Sequence, residues 1–150
     1  MELSPHASAE KEAARAQKEL EEGNVLAALA CLEKSLQAED DPSLHSCLGF
    51  CMAKERGHVT RGLELCHAAI EREPQNPIHY FYLAKVHLVA GTKEEAVSAL
   101  RQGAAQGGNP QILLMLQELG TRKPPPLRFL SRDHFLNKYL GKLLGRLGLR

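Results

Sequence analysis

The chain has 150 residues, 43% hydrophobic and 25% charged, with no tryptophan, a composition that suits a soluble domain long enough to enclose a core. Its net charge of +1 joins an acidic body, 11 Lys+Arg against 17 Asp+Glu over residues 1–121, to a basic tail, eight Lys+Arg against Asp133 over residues 122–150. No basic run followed by an apolar stretch opens the chain and no window approaches 18 unbroken apolar residues, so a signal peptide and a spanning helix are not expected and the cytoplasm is the expected location.

Ala, Leu, Glu, Lys and Arg outweigh Val, Ile and Thr, which favours helix over strand. In chain order, the apolar spacing predicts helices over 8–22, 25–38, 43–55, 60–72, 77–90 and 93–106. Pro42 stands at the start of the third, and Thr92 with Glu95 forms a capping-box pattern before the sixth. Gly107-Gly108-Asn109-Pro110 is a break, and residues 111–119 form one more helix. Residues 121–132, with Pro124-Pro125-Pro126, read as an extended connector. Ser131 or Asp133 is then placed to cap a tail helix over 133–147.

An internal repeat organises these elements. Gly23, Gly57 and Gly91 lie 34 residues apart, and small residues follow at Ala28, Gly62 and Ala96. Apolar Leu32, Cys66 and Leu100 come next, then small Ser35, Ala69 and Gly103. Glycine admits the left-handed backbone of a tight turn between helices. Small residues let two axes approach, and the larger one fills the gap to the next unit. A single such hairpin cannot cover its own apolar face, so copies must stack.

The chain therefore resembles the tetratricopeptide repeat (TPR) family, whose period is 34 residues. The third unit carries Tyr80, the large–small pair Leu83-Ala84, and Ala96, with Pro74 and Pro77 at its border. The second carries Leu48-Gly49, Gly62, Ala69 and Pro74, and its first helix fits with one extra residue before Gly57. The first keeps Ala16, Ala28 and Ser35 but has Arg15 where a large apolar residue is usual. The resemblance implies an all-α TPR solenoid over residues 1–120, with units at about 9–42, 43–76 and 77–110 and a capping helix at 111–119. A Pro-rich linker at 121–132 and a basic amphipathic tail at 133–150 follow.

It further implies a non-enzymatic adaptor or scaffold that binds a peptide or helix along the first helix of each pair. The family's groove positions fall on Gln17 and Leu20, on Phe50, Ala53 and Lys54, and on Ile78, Phe81, Lys85, Leu88 and Val89. The capping helix adds Ile112 and Met115. The reading commits to Phe50, Lys54, Phe81, Lys85, Leu88, Ile112 and Met115; several of them are equally consistent with core packing. Family members that hold a chaperone's terminal carboxylate use a basic set on these helices. The corresponding positions here, Ala13, Gln17, Cys47, Ile78 and Tyr82, carry no cation, which disfavours that subtype.

In the tail, Leu136, Leu140, Leu143 and Leu147, with Phe135 and Tyr139 beside them, form an apolar stripe at helical spacing, and Lys138, Lys142 and Arg146 recur on another face. Three readings stay open: the tail docks on its own body or groove, it engages a partner protein, or it lies on an anionic membrane as the anchor of a peripheral scaffold. Self-association is also open, and nucleic acid is not an expected partner.

Catalytic and metal chemistry have little support in the sequence. Cys31, Cys47, Cys51 and Cys66 fall in apolar helical patterns and read as reduced, packed thiols. Cys47 and Cys51 share a face with His45, Cys66 and His67 nearby, but compact zinc spacing on turns is missing. No phosphate loop, nucleophile elbow or His-Glu-x-x-His motif occurs. No cofactor and no metal is expected.

Overall fold

A computed structural model of the chain describes residues 4–120 and 135–147. Regular structure among these residues is helical: α1 (Pro5–Glu21), α2 (Val25–Ala38), α3 (His45–Arg56), α4 (Val59–Arg72), α5 (Pro77–Ala90), α6 (Lys93–Ala105), α7 (Pro110–Gly120) and α8 (Phe135–Arg146), with a 3-10 turn at Pro42–Leu44 leading into α3. The chain divides into two compact units, Met1–Glu118 and Leu119–Arg150. The expected connector at 121–132 and the expected caps Ser131 and Asp133 lie outside the described residues.

In the first unit α1 pairs with α2, α3 with α4 and α5 with α6, and successive hairpins stack through α2–α3, α3–α5 and α4–α5. The repeat positions explain the packing. Ala28 and Ala96 are fully buried and Gly62 is buried at the same position. Leu32, Cys66 and Leu100 are sealed from solvent. Ser35 suits the third small position because its hydroxyl donates to the Ala9 carbonyl oxygen at 2.9 Å inside the core. Gly103 has no room for a methyl group: a Cβ there would lie 2.9 Å from both Ile112 Cδ1 and Tyr80 Cβ.

The helix starts share a signal that apolar periodicity does not carry. Proline holds the first helical position, where its missing N–H costs nothing, and the residue before it accepts a backbone hydrogen bond. Ser4 Oγ accepts from Ala7 N at 3.3 Å, Asn76 Oδ1 from Ile78 N at 3.2 Å, and Asn109 Oδ1 from Ile112 N at 2.8 Å. Asp41 does the same for Ser43 N at 2.9 Å before the 3-10 turn. These caps move the starts of α1 and α7 to Pro5 and Pro110, ahead of the expected 8 and 111, and delay α3 to His45.

The turn glycines Gly23, Gly57 and Gly91 adopt φ of 82°, 68° and 79°. After Gly23 and Gly91 the next N–H reaches back five residues, from Asn24 to Glu19 O and from Thr92 to His87 O. After Gly57 it reaches back six, from His58 to Met52 O. The extra residue expected before Gly57 is thus taken up by widening the last turn of α3. Gly49 consequently faces Gly62, thirteen positions on, so closely that a Cβ on Gly62 would lie 2.6 Å from Gly49 O.

The expected capping box does not form. Thr92 makes no side-chain cap to α6; its hydroxyl donates to the His87 carbonyl oxygen at 3.2 Å and lies 2.9 Å from His87 Nδ1. The turn brings the open end of α5 within reach of that hydroxyl before α6 can use it.

A buried polar bridge joins the second and third units. Ser46 Oγ lies 2.7 Å from His79 Nδ1, and both residues are fully buried. His79 Nε2 lies 2.8 Å from Glu73 Oε2. A carboxylate can only accept, so Nε2 donates to Glu73 and Nδ1 is left to pair with the Ser46 hydroxyl. The trio has the residue types of a hydrolase triad, but Ser46 is sealed at 0% exposure, so its hydroxyl acts as a bolt between α3 and α5. Hydrogen bonds from Asn76 and then from His79 hold the Glu73 carboxyl below its ordinary range. A depressed native value stabilises the fold above the unfolded carboxyl value near 4.5, and that contribution is lost as pH falls through the native one. The Glu73 side chain is 41% exposed, so screening limits the effect to about 1 kcal/mol. Glu73→Gln is expected to lower the melting temperature by a few degrees at pH 7, with the gap to the unsubstituted chain closing as pH falls below about 4.5. A pH-independent gap contradicts this assignment.

Candidate functional site

The first helices of the three units converge on one face. Ala13, Gln17 and Leu20 of α1, Cys47 of α3, and Ile78 and Tyr82 of α5 line a pocket of about 130 Å³. All five positions that correspond to the chaperone-tail set, Ala13, Gln17, Cys47, Ile78 and Tyr82, are among its walls. The pocket is therefore mainly apolar, with the Gln17 amide, the Ser43 hydroxyl, the Tyr82 phenol and the Cys47 thiol for polar contacts.

Beside it lies an aromatic cluster in which Phe50 and Phe81 are buried and Tyr82 is half-buried. The rings of Phe50 and Tyr82 stack with centroids 5.9 Å apart at 28°, and Phe81 meets Tyr82 edge-on at 5.4 Å. Lys85 Nζ stands 4.1 Å from the centroid of Phe50, 5.3 Å from Phe81 and 5.8 Å from Tyr82. An ammonium over aromatic faces is attracted by the ring quadrupoles. Burial lowers the Lys85 pKa, and Lys54 pushes the same way. Among the described residues, no carboxylate forms an ion pair with Lys85. The site thus offers a partly desolvated cation whose electrostatic support is aromatic.

The structure brings Phe50, Phe81 and Lys85 together and leaves Lys54 exposed. Leu88 and Met115 are half-buried. Ile112 is different: it is fully buried and its Cδ1 fills the space left by Gly103. It supports the wall from within and offers no surface to a partner. Tyr82 and Cys47, absent from the chosen groove residues, contribute more to the site than Ile112 does. Their signal was available in the family's clamp positions, although a cation was the feature sought there.

The tail helix α8 stands in the second unit. Phe135, Tyr139, Leu143 and Leu147 are exposed at spacings of four, and Lys138 and Lys142 are exposed beside them. Leu140 is half-buried, and the side chain of Leu136 lies outside the described residues. No helix among the described residues is long and apolar enough to cross a membrane, and no group of three or more His, Cys, Asp or Glu among them is placed to hold a metal ion.

Stacked helix hairpins with a 34-residue period, glycine turns and small buried residues at the repeat positions define a TPR solenoid. A solved structure of the first TPR of Spaghetti (RPAP3) bound to the HSP90 peptide SRMEEVD matches with a TM-score of 0.57 at 14% identity, covering 77% of this chain and 92% of that chain. No family model matches the sequence, and no curated protein matches it.

Proposed function

We propose that the chain is a non-enzymatic protein-interaction module that binds an extended peptide or a helix along the face shared by α1, α3 and α5. Lys85 carries the reading. Its ammonium is partly desolvated over three rings, no carboxylate of the described body pairs with it, and it adjoins an apolar pocket. A peptide carboxylate would complete it with a charge-assisted hydrogen bond, while an apolar side chain would fill the pocket. The similar RPAP3 domain holds a peptide rich in carboxylates, which supports the same ligand class here. The means differ: the five clamp positions carry no cation here, and one lysine over an aromatic cluster beside them supplies the charge. Lys54, exposed on α3, would steer an acidic partner more than fix it.

Selection from a random peptide library against the full chain tests this. The selected peptides are expected to pair an apolar residue with an acidic group a few positions away. Lys85→Met, which keeps the aliphatic stem over the rings, is expected to weaken them about tenfold, the worth of a charge-assisted bond of roughly 1.4 kcal/mol. Peptides without an acidic preference, or unchanged affinity in Lys85→Met, contradict the proposal.

A further inference from the structure

Peptide recognition by the first compact unit leaves the second without a role. In it α8 carries two rows of side chains. Phe135, Tyr139, Leu143 and Leu147 recur at every fourth position and are exposed by 71%, 66%, 41% and 62%. Lys138, Lys142 and Arg146 are exposed too, and each stands three residues beyond a member of that apolar row. At 3.6 residues per turn, three residues set a side chain back by about 60° around the axis. A row of cations therefore borders the apolar row along the whole helix. Apolar side chains of this size exposed in one row mark a contact surface.

The charge beside that row says what covers it. Residues 122–150 hold eight Lys+Arg against Asp133 alone, and no Asp or Glu occurs among residues 134–150. The occupant must be anionic over an extended area and apolar just beneath. The protein's own groove face presents Lys54 and Lys85, the same sign as α8. Elsewhere on the body Glu19, Glu22, Glu33 and Glu64 are already paired with lysine or arginine. A second copy of the chain thus offers little for this helix to bind. A bilayer with anionic headgroups meets both rows at once.

We propose that α8 is an interfacial helix that lies along a membrane surface bearing anionic phospholipids. Its apolar row enters the boundary of the acyl chains, and Lys138, Lys142 and Arg146 reach the phosphates. The long cationic side chains lay their aliphatic stems along the apolar boundary and keep their charges at headgroup level. The Tyr139 phenol stays at the same level while its ring is buried. The 12 residues of α8 extend about 18 Å, so the helix lies in the plane of the membrane and does not cross it. This placement is independent of the groove: α8 holds the chain at a surface, and the α1–α3–α5 face remains to bind a peptide there.

Co-sedimentation of the full chain with vesicles tests the proposal. Vesicles of phosphatidylcholine containing about one-third phosphatidylserine are expected to bind the chain at least tenfold more tightly than phosphatidylcholine alone. Raising salt from about 0.1 to 0.5 M is expected to release most of it. Replacing Lys138, Lys142 and Arg146 together by glutamine is expected to weaken binding about 100-fold, at about 1 kcal/mol per cation. Tyr139→Ser with Leu143→Ser is expected to weaken it at least tenfold with every charge retained. Circular dichroism and unchanged affinity for a groove peptide confirm that the body of each variant is folded. Failure to bind the anionic vesicles overturns the proposal, as does equal binding to the neutral ones. Binding undiminished by the serine pair would show adsorption by charge alone and overturn it as well. A concentration-dependent dimer without vesicle binding would assign the face to a second copy instead.

Discussion

Gly62→Ala is expected to lower the melting temperature by about 8 °C, although alanine is the better helix former. In a free helix the substitution would gain about 1 kcal/mol. Here the added Cβ would sit 2.6 Å from the backbone oxygen of Gly49 and 3.2 Å from Ala53 Cβ. The first neighbour is backbone and cannot rotate aside, so α3 and α4 must separate along their contact. Overpacking of this kind costs about 1–3 kcal/mol, and a direct backbone clash belongs at or above the upper end. The net loss is about 2 kcal/mol, worth about 4 °C per kcal/mol in a unit of this size. Gly49→Ala is expected to behave alike, since its Cβ would lie 2.7 Å from Gly62 O. The first and third units hold alanine at the corresponding positions, Ala28 and Ala96, both fully buried. The second unit has glycine on both sides of the contact, and there the two backbones meet directly. Thermal denaturation settles the matter: a higher melting temperature for Gly62→Ala would show that the helices separate freely.

The second large effect is expected at the Ser46–His79 bolt. Ser46→Ala removes a buried hydroxyl and leaves His79 Nδ1 without its partner, at a cost of about 1–2 kcal/mol. His79→Leu leaves the Ser46 hydroxyl unpaired and also frees the Glu73 carboxylate, at a cost of about 2–3 kcal/mol. The double substitution replaces both partners with apolar groups, and the penalty of an orphaned polar atom vanishes. It is therefore expected to cost at least about 0.5 kcal/mol less than the two single changes together. Urea denaturation of the four proteins measures this coupling, and strictly additive losses would show that the contact does not hold α3 to α5.

The repeat was legible because its physical cause is local and periodic. A glycine is needed wherever the chain turns left-handed, and a small residue wherever two axes meet, so Gly23, Ala28 and Ser35 recur 34 residues later in kind. One extra residue before Gly57 was legible as a slip between the turn glycine and Leu48-Gly49, but where the helix takes it up was not, because periodicity does not register a single wide turn. The starts of the first and seventh helices were misplaced by three residues and one because they were read from apolar spacing, whereas Ser4-Pro5 and Asn109-Pro110 set them through side-chain caps; the start at Pro77 was read correctly. Ser46 and His79 could not be paired from the sequence. They lie 33 residues apart in otherwise apolar helices, and only the stacking of α3 on α5 brings them within 2.7 Å.

The candidate site divides in the same way. Phe50, Phe81 and Lys85 were placed on one face by the family's groove positions, and in the structure they touch. Ile112 shares their apolar character, but periodicity cannot tell the side of a helix that meets Gly103 from the side that meets solvent. The role of Tyr82 was hidden because its ring works with neighbours from two helices: it stacks on Phe50, edges Phe81 and walls the pocket at once.

Peptide recognition at the α1–α3–α5 face is tested most directly by titrating a selected acidic–apolar peptide into the 15N-labelled full chain and following its 1H–15N spectrum. The largest amide shifts are predicted at Ala13, Gln17, Cys47, Tyr82 and Lys85, with the outer helices α2, α4 and α6 nearly unmoved. Shifts concentrated on those outer helices or on α8, with the α1–α3–α5 amides unchanged, would contradict the account.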